Sequence, residues 1–185
     1  MRLFIGVDLP AEIKQTLLKF QSELRDRGVK GSWKSMNNFH ITLEFLGELE
    51  PDKLSVLSET LTKAAGNSRP FGLIIGGMGA FPSLKRPHTL WTAVSGSLTE
   101  LNRLRDKLHH ELKTKGFELD ERQFKPHITL ASRPKLDKID FSVVRNKALG
   151  EYMVAELVLF ESRIISGKRV YIDLFRAGFE KGNLA

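Results

Sequence analysis

The chain has 185 residues, 41% of them hydrophobic and 28% charged, enough to build one domain around its own core, and we read residues 1–185 as a single domain. Its longest nearly apolar run, residues 71–81, contains four glycines and is far short of the roughly 20 apolar residues of a membrane span; the absence of cysteine excludes disulfides, thiolate nucleophiles and cysteine-ligated zinc. A formal charge of +7 favours anionic partners, nucleic acid first, although many proteins are this basic without binding any.

Leu3 to Val7 is short, apolar and bounded by Asp8 and Pro10, the signature of a strand rather than of a signal peptide, so a cytoplasmic location is expected. In Ala11 to Asp26, Ile13, Leu17, Phe20 and Leu24 recur at three- and four-residue steps, which predicts an amphipathic helix, and Gly28 follows as its stop signal. A loop then leads to His40-Ile41-Thr42-Leu43, which opens a strand. Pro51 and Asp52 start a second helix reaching about Ala65, and Phe71 to Ala80 reads as a strand with a bend at its glycines. Gly76, Gly77 and Gly79 are no phosphate-binding loop, because no Gly-Lys-Ser/Thr follows them.

The pattern then starts again. His-Ile-Thr-Leu recurs at His127 to Leu130, an offset of 87 residues. At the same offset Leu3–Val7 falls on Leu90–Val94, and Ala11–Asp26 falls on Leu98–Lys113, where Leu98, Leu101, Leu104, Leu108 and Leu112 keep helical spacing before Gly116. Each half therefore reads strand, helix, loop and motif strand. Pro134 to Lys147 is ambiguous. Met153 to Phe160 and Arg169 to Phe175 read as strands joined through a turn at Ser166-Gly167-Lys168. The expected architecture is α+β: two similar lobes, a pseudo-duplication, each a mainly antiparallel sheet with helices.

Alternate side chains of a strand share a face, so His40 lies beside Thr42 and His127 beside Thr129, with Ile41, Leu43, Ile128 and Leu130 as apolar anchors behind them. If the halves face each other across one cleft, this arrangement suits in-line displacement at phosphorus. A base is needed on the incoming oxygen and an acid on the departing one, and imidazole titrates near neutral pH, so one copy can play each part. The threonine hydroxyls can hold non-bridging oxygens. The motifs are identical, so the residues alone do not say which histidine is acid and which is base.

These motifs resemble the 2H phosphoesterase superfamily, and within it the RNA 2',3'-cyclic phosphodiesterases, also called the 2'-5' RNA ligase or LigT-like family. Met1 to Ile5, Trp33 ahead of His40, Leu90-Trp91, Phe124-Lys125-Pro126 ahead of His127 and the closing segment Ser162 to Phe175 resemble that family too, so the likeness covers essentially the whole chain. It implies a bilobal fold with the active cleft between the lobes, no metal or other cofactor, and an RNA with a 2',3'-cyclic phosphate end as substrate, opened to a 2'-phosphate. It also implies His40 as proton donor and His127 as proton acceptor. Relatives often carry arginine five residues after the second histidine. Here that position is Ser132, and the arginine is Arg133, one residue later and on the opposite face of an ideal strand. Either a bulge restores it or another cation takes its phosphate role.

Trp33, Phe45 and Trp91 suit stacking on a nucleobase or packing in the core. Lys125, Arg163, Lys168 and Arg169 suit an RNA backbone or a solvated surface. His109 and His110 point to different helix faces and cannot share a metal; with His88 they receive no role. Joining of a cyclic phosphate end to a 5'-hydroxyl, hydrolysis of a smaller cyclic phosphate, and recognition of RNA ends without turnover by a binding module are the competing functions; a monomer is expected.

Overall fold

The structure is a computed structural model and describes residues 1–136 and 139–180. In β1 (Arg2–Asp8) the residues from Leu3 to Val7 are all buried, and α1 (Ala11–Asp26) buries Ile13, Leu17, Phe20 and Leu24, the face its spacing predicts. Gly28 ends it at φ +96°, with the Val29 N–H on the Leu24 carbonyl at 3.0 Å. This left-handed stop is one that glycine adopts without Cβ strain. There follow β2 (Lys30–Trp33), a 3-10 turn over Met36–Asn38, β3 (His40–Glu48), α2 (Lys53–Gly66) and β4 (Phe71–Ser83). The second half repeats the opening. β5 (Arg86–Gly96) precedes α3 (Leu98–Thr114), and Gly116 at φ +82° closes the helix as Gly28 does. β6 (His127–Lys135), β7 (Ala148–Val154), β8 (Glu156–Ile165) and β9 (Lys168–Gly178) complete the fold.

Two antiparallel sheets result, ordered β3-β1-β8-β9 and β2-β6-β5-β4-β7. Two expectations are corrected. The loop before the first motif holds a short strand, β2, which pairs with β6 in the sheet of the other half. The run Met153 to Phe160 is two strands: Ala155 separates β7, paired with β4, from β8, paired with β1. The apolar run is continuous, but the chain changes sheets within it, and hydrophobicity alone does not mark such a crossing.

α1 lies against β7 of the five-stranded sheet, while α2 covers β8 and β9 and is joined there by α3. Because α1 and α3 each pack away from the sheet of the strand they follow, one hydrophobic core contains residues from both sheets and all three helices. Leu3, Ile5, Val7, Leu157 and Leu159 face that core. The alternate residues Phe4, Val158 and Phe160 form a separate small aromatic cluster with Tyr171 on the other face of the four-stranded sheet. No helix among the described residues is long and apolar enough to cross a membrane.

The two motif strands carry the same irregularity. Ile5 pairs with Glu44 but Gly6 with Thr42, and Leu90 pairs with Ala131 but Trp91 with Thr129. Each is a β-bulge just after the motif threonine, at positions 87 residues apart. It buries two consecutive residues, Leu43 with Glu44 and Leu130 with Ala131, and it changes the phase of the strand beyond.

Candidate active site

His40 projects from β3 onto the aromatic cluster. Its ring lies 4.7 Å from that of Phe4 and edge-on to Tyr171 at 4.9 Å. His127 is held likewise on β6, edge-on to Phe81 at 4.9 Å, with Trp91 at 6.3 Å. Phe4 and Trp91 occupy matching places in the two halves, 87 residues apart. Gly79 makes room for the Trp91 ring: a Cβ there would stand 2.3 Å from its nearest carbon. Phe4, Tyr171 and Phe81 carry no motif, and sequence reasoning missed them; only their alternation against the core residues could have placed them on this face.

Backbone carbonyls fix both rings. Nδ1 of His40 lies 2.9 Å from the Asn38 carbonyl oxygen, and Nδ1 of His127 lies 2.6 Å from that of Lys125. A carbonyl only accepts, so the partners assign the proton to Nδ1 in each ring and leave the lone pair on Nε2. Nε2 of His40 is 2.8 Å from the Thr42 hydroxyl. His127 makes no matching bond to Thr129 among the described residues, so its Nε2 lone pair is uncommitted.

The two motifs meet. β3 and β6 lie against each other, and Thr42 and His127 line one cavity of about 490 Å³ together with Phe45, Phe81, Phe124 and Lys125. His40 is not among the lining residues, but its Nε2 touches the hydroxyl of Thr42, which is. Burial, first of all, draws the His40 pKa down to about 4, against the donor–acceptor contact with Asn38; the charge of His127 lowers it further. Burial also lowers the pKa of His127, again against its backbone hydrogen bond. Both imidazoles are therefore neutral at neutral pH, and an anion beside them would favour the charged form.

The remaining candidates separate. Phe45 is 57% exposed and lines the cavity, returned to the cleft face by the bulge. Ser132 holds the corresponding place on β6. Arg133 follows at φ +49° and is exposed, Ser132 is half-buried, and neither is among the residues lining the cavity. Trp33 is opposite the fully buried Ala131, packs on the core and carries the Arg25 guanidinium 4.7 Å above its ring; it is turned away from the cleft. Arg163 is paired with Glu161 at 2.7 Å. His109 has a partner that the sequence did not suggest. With Arg105 it holds the buried Glu44 of the motif strand, at 2.7 and 2.9 Å. Burial raises the Glu44 pKa against the pull of these two groups, and the cluster ties α3 to β3. Among the described residues, no three His, Cys, Asp or Glu side chains are grouped to hold a metal ion.

The model of the LigT-like phosphoesterases matches residues 7–91 and 94–170. The chain belongs to the LigT-like phosphoesterase family. It is 33% identical to the RNA 2',3'-cyclic phosphodiesterase of Archaeoglobus fulgidus, over 94% of this chain and 98% of that one. It is 29% identical to the Thermotoga maritima protein of the same name, over 98% and 97%. A Geobacillus stearothermophilus protein, also so named, is 35% identical over 70% of this chain, a match that spans 41% of its own length. Among solved structures, E. coli LigT bound to 3'-AMP superposes with a TM-score of 0.79 at 26% identity, covering 97% of this chain and 98% of that one. A Thermus thermophilus protein gives 0.81 at 28%, with the same coverage. The two-lobed architecture with paired antiparallel sheets is thus that of LigT-like phosphoesterases.

Proposed function

We propose that this phosphoesterase opens the 2',3'-cyclic phosphate at the end of an RNA chain to a 2'-phosphate and a free 3'-hydroxyl, without a metal, using His127 as base and His40 as acid. Water attacks phosphorus and gives its proton to Nε2 of His127. The bond from phosphorus to O3' breaks on the far side, and O3' takes the proton from Nε2 of His40. Thr42 and Thr129 hold the non-bridging oxygens, where charge accumulates, and Phe45 offers its exposed ring to the terminal base. Every one of these groups comes from a single chain, so a monomer suffices, and an RNA substrate places the work in the cytoplasm.

The observation that carries this reading is the matched pair of imidazoles, each with Nδ1 pinned by a carbonyl two residues earlier and each on a strand bordering the same cleft. The free lone pair on His127 favours it as the base, and the names of the relatives favour the cyclic end as the substrate. The test is incubation of the protein, in excess chelator, with an oligonucleotide ending in a 2',3'-cyclic phosphate. The expected product carries a 2'-phosphate, and the rate is undiminished by the chelator. A 3'-phosphate would reverse the leaving oxygen, loss of activity in chelator would refute metal independence, and joining to an added 5'-hydroxyl strand in preference to hydrolysis would make the protein a ligase.

A further inference from the structure

Two half-buried cations of this protein are matched with carboxylates, Lys14 with Asp8 and Arg105 with Glu44. The half-buried Lys34 and the exposed Arg169 are not: neither has a carboxylate within 4 Å among the described residues.

They approach the cleft from different sheets. Ser32 of β2 pairs with Ser132 of β6, and residues directly opposite on antiparallel strands share a face. Lys34 directly follows the end of β2 at Trp33. Its N–H bonds the Leu130 carbonyl at 2.9 Å, and the Gln21 side-chain amide clamps the Lys34 and Leu130 carbonyls together, each at 2.9 Å. This mount holds the Lys34 backbone against the second motif strand at Leu130, the residue after Thr129. Arg169 comes from the other side, at the start of β9. Its carbonyl accepts from the Asn38 amide at 2.8 Å, and Asn38 is the residue whose own carbonyl fixes His40. Its guanidinium donates to Ser162 across the β8–β9 hairpin.

β1 pairs with β8 only as far as Glu161, so the hairpin beyond it projects free of the sheet. Its tip exposes Ile164 and Ile165, at 60% and 49%, beside Lys168 and Arg169. Burial first, and then the Arg169 charge, lowers the Lys34 pKa, and the Lys34 charge lowers that of His40. Like charges with no carboxylate beside them among the described residues favour a bound anion.

We propose that Lys34 and Arg169 form a seat for an internucleotide phosphate of the RNA substrate, on the 5' side of the cyclic end, and that the projecting hairpin guides the strand into it. The inference rests on the cyclic phosphodiesterase reading and deepens it. The reacting phosphate is already provided for by two histidines and two threonines. A nucleoside 2',3'-cyclic phosphate has no other phosphate, so a second cationic seat acts only on a polymer. The protein therefore selects an oligonucleotide over a mononucleotide.

The test compares Lys34→Gln, Arg169→Gln and the double variant with the parent protein on two substrates, a short oligonucleotide ending in a 2',3'-cyclic phosphate and cytidine 2',3'-cyclic phosphate, at low and moderate salt. The expected result is a loss of kcat/KM on the oligonucleotide that exceeds the loss on the mononucleotide by about tenfold in the double variant. It is carried by KM and accompanied by a shallower salt dependence, as removal of phosphate contacts requires. Equal losses on both substrates would overturn the proposal and move these cations to the reacting phosphate, and an oligonucleotide rate unchanged by the double variant would overturn it outright. If the parent protein opens neither substrate, the functional reading fails first.

Discussion

Replacing either histidine by glutamine should reduce turnover of a cyclic phosphate end by about 10²- to 10⁴-fold, the usual contribution of one positioned acid or base. Glutamine is chosen because it is close in length, keeps an amide in reach of Thr42 or the cleft and leaves the ring-sized space largely filled, so the rate effect is separated from folding. The two losses should not multiply. An acid and a base that act in one displacement work as a unit, and the double variant should be little slower than the worse single one. Single-turnover rates with circular dichroism melts on the same samples check this. A single variant that retains near-parental kcat while folded removes that histidine from the chemistry.

Truncating the anchors behind the motifs should cost stability instead. Ile41 and Ile128 are fully buried, each directly between a histidine and a threonine that must face the cleft. Ile→Ala at a core site that cannot collapse costs about 2–5 kcal/mol, and in a domain of this size that lowers Tm by roughly 5–20 °C. Each site is the second residue of its strand and is flanked by paired neighbours, so little relaxation is available and the upper half of the range is expected. Ile41→Ala and Ile128→Ala measured by denaturant unfolding give the comparison. Losses below about 1 kcal/mol at both sites would mean that these strands are not anchored as described.

Much of this was legible in the residues. The repeated tetrapeptide, the matching offset of the preceding strands, and the leucine spacing of the helices are local patterns, and the structure returns α1 with its expected limits, Ala11–Asp26. The paired His-x-Thr motifs placed each histidine beside a threonine for the same reason: a period of two is fixed by the strand itself. What the residues did not announce depends on partners far away in the chain. β2 joins a sheet through β6, about 100 residues on; the crossing at Ala155 is set by which sheet edge is vacant. The bulges after Thr42 and Thr129 show only in the register, yet the first of them returns Phe45 to the cavity. The carbonyls of Asn38 and Lys125 fix the imidazole tautomers, and a carbonyl has no signature in sequence because every residue has one. Glu44 is the clearest case. Its place in the second motif is taken by Ala131, so the duplication suggested no role, and only the packing of α3 reveals Arg105 and His109 around it.

The central claim is that both imidazoles address one phosphate. It is tested most directly by following the ring-nitrogen NMR signals of His40 and His127 through a pH titration, with and without a nucleoside 2'-monophosphate, the chemical class of the product. In the free protein His40 should titrate near pH 4 and His127 below its ordinary range, and saturation with the nucleotide should raise both values and move both Nε2 signals. A response confined to one histidine, or absent from both while the nucleotide is bound, would contradict the account.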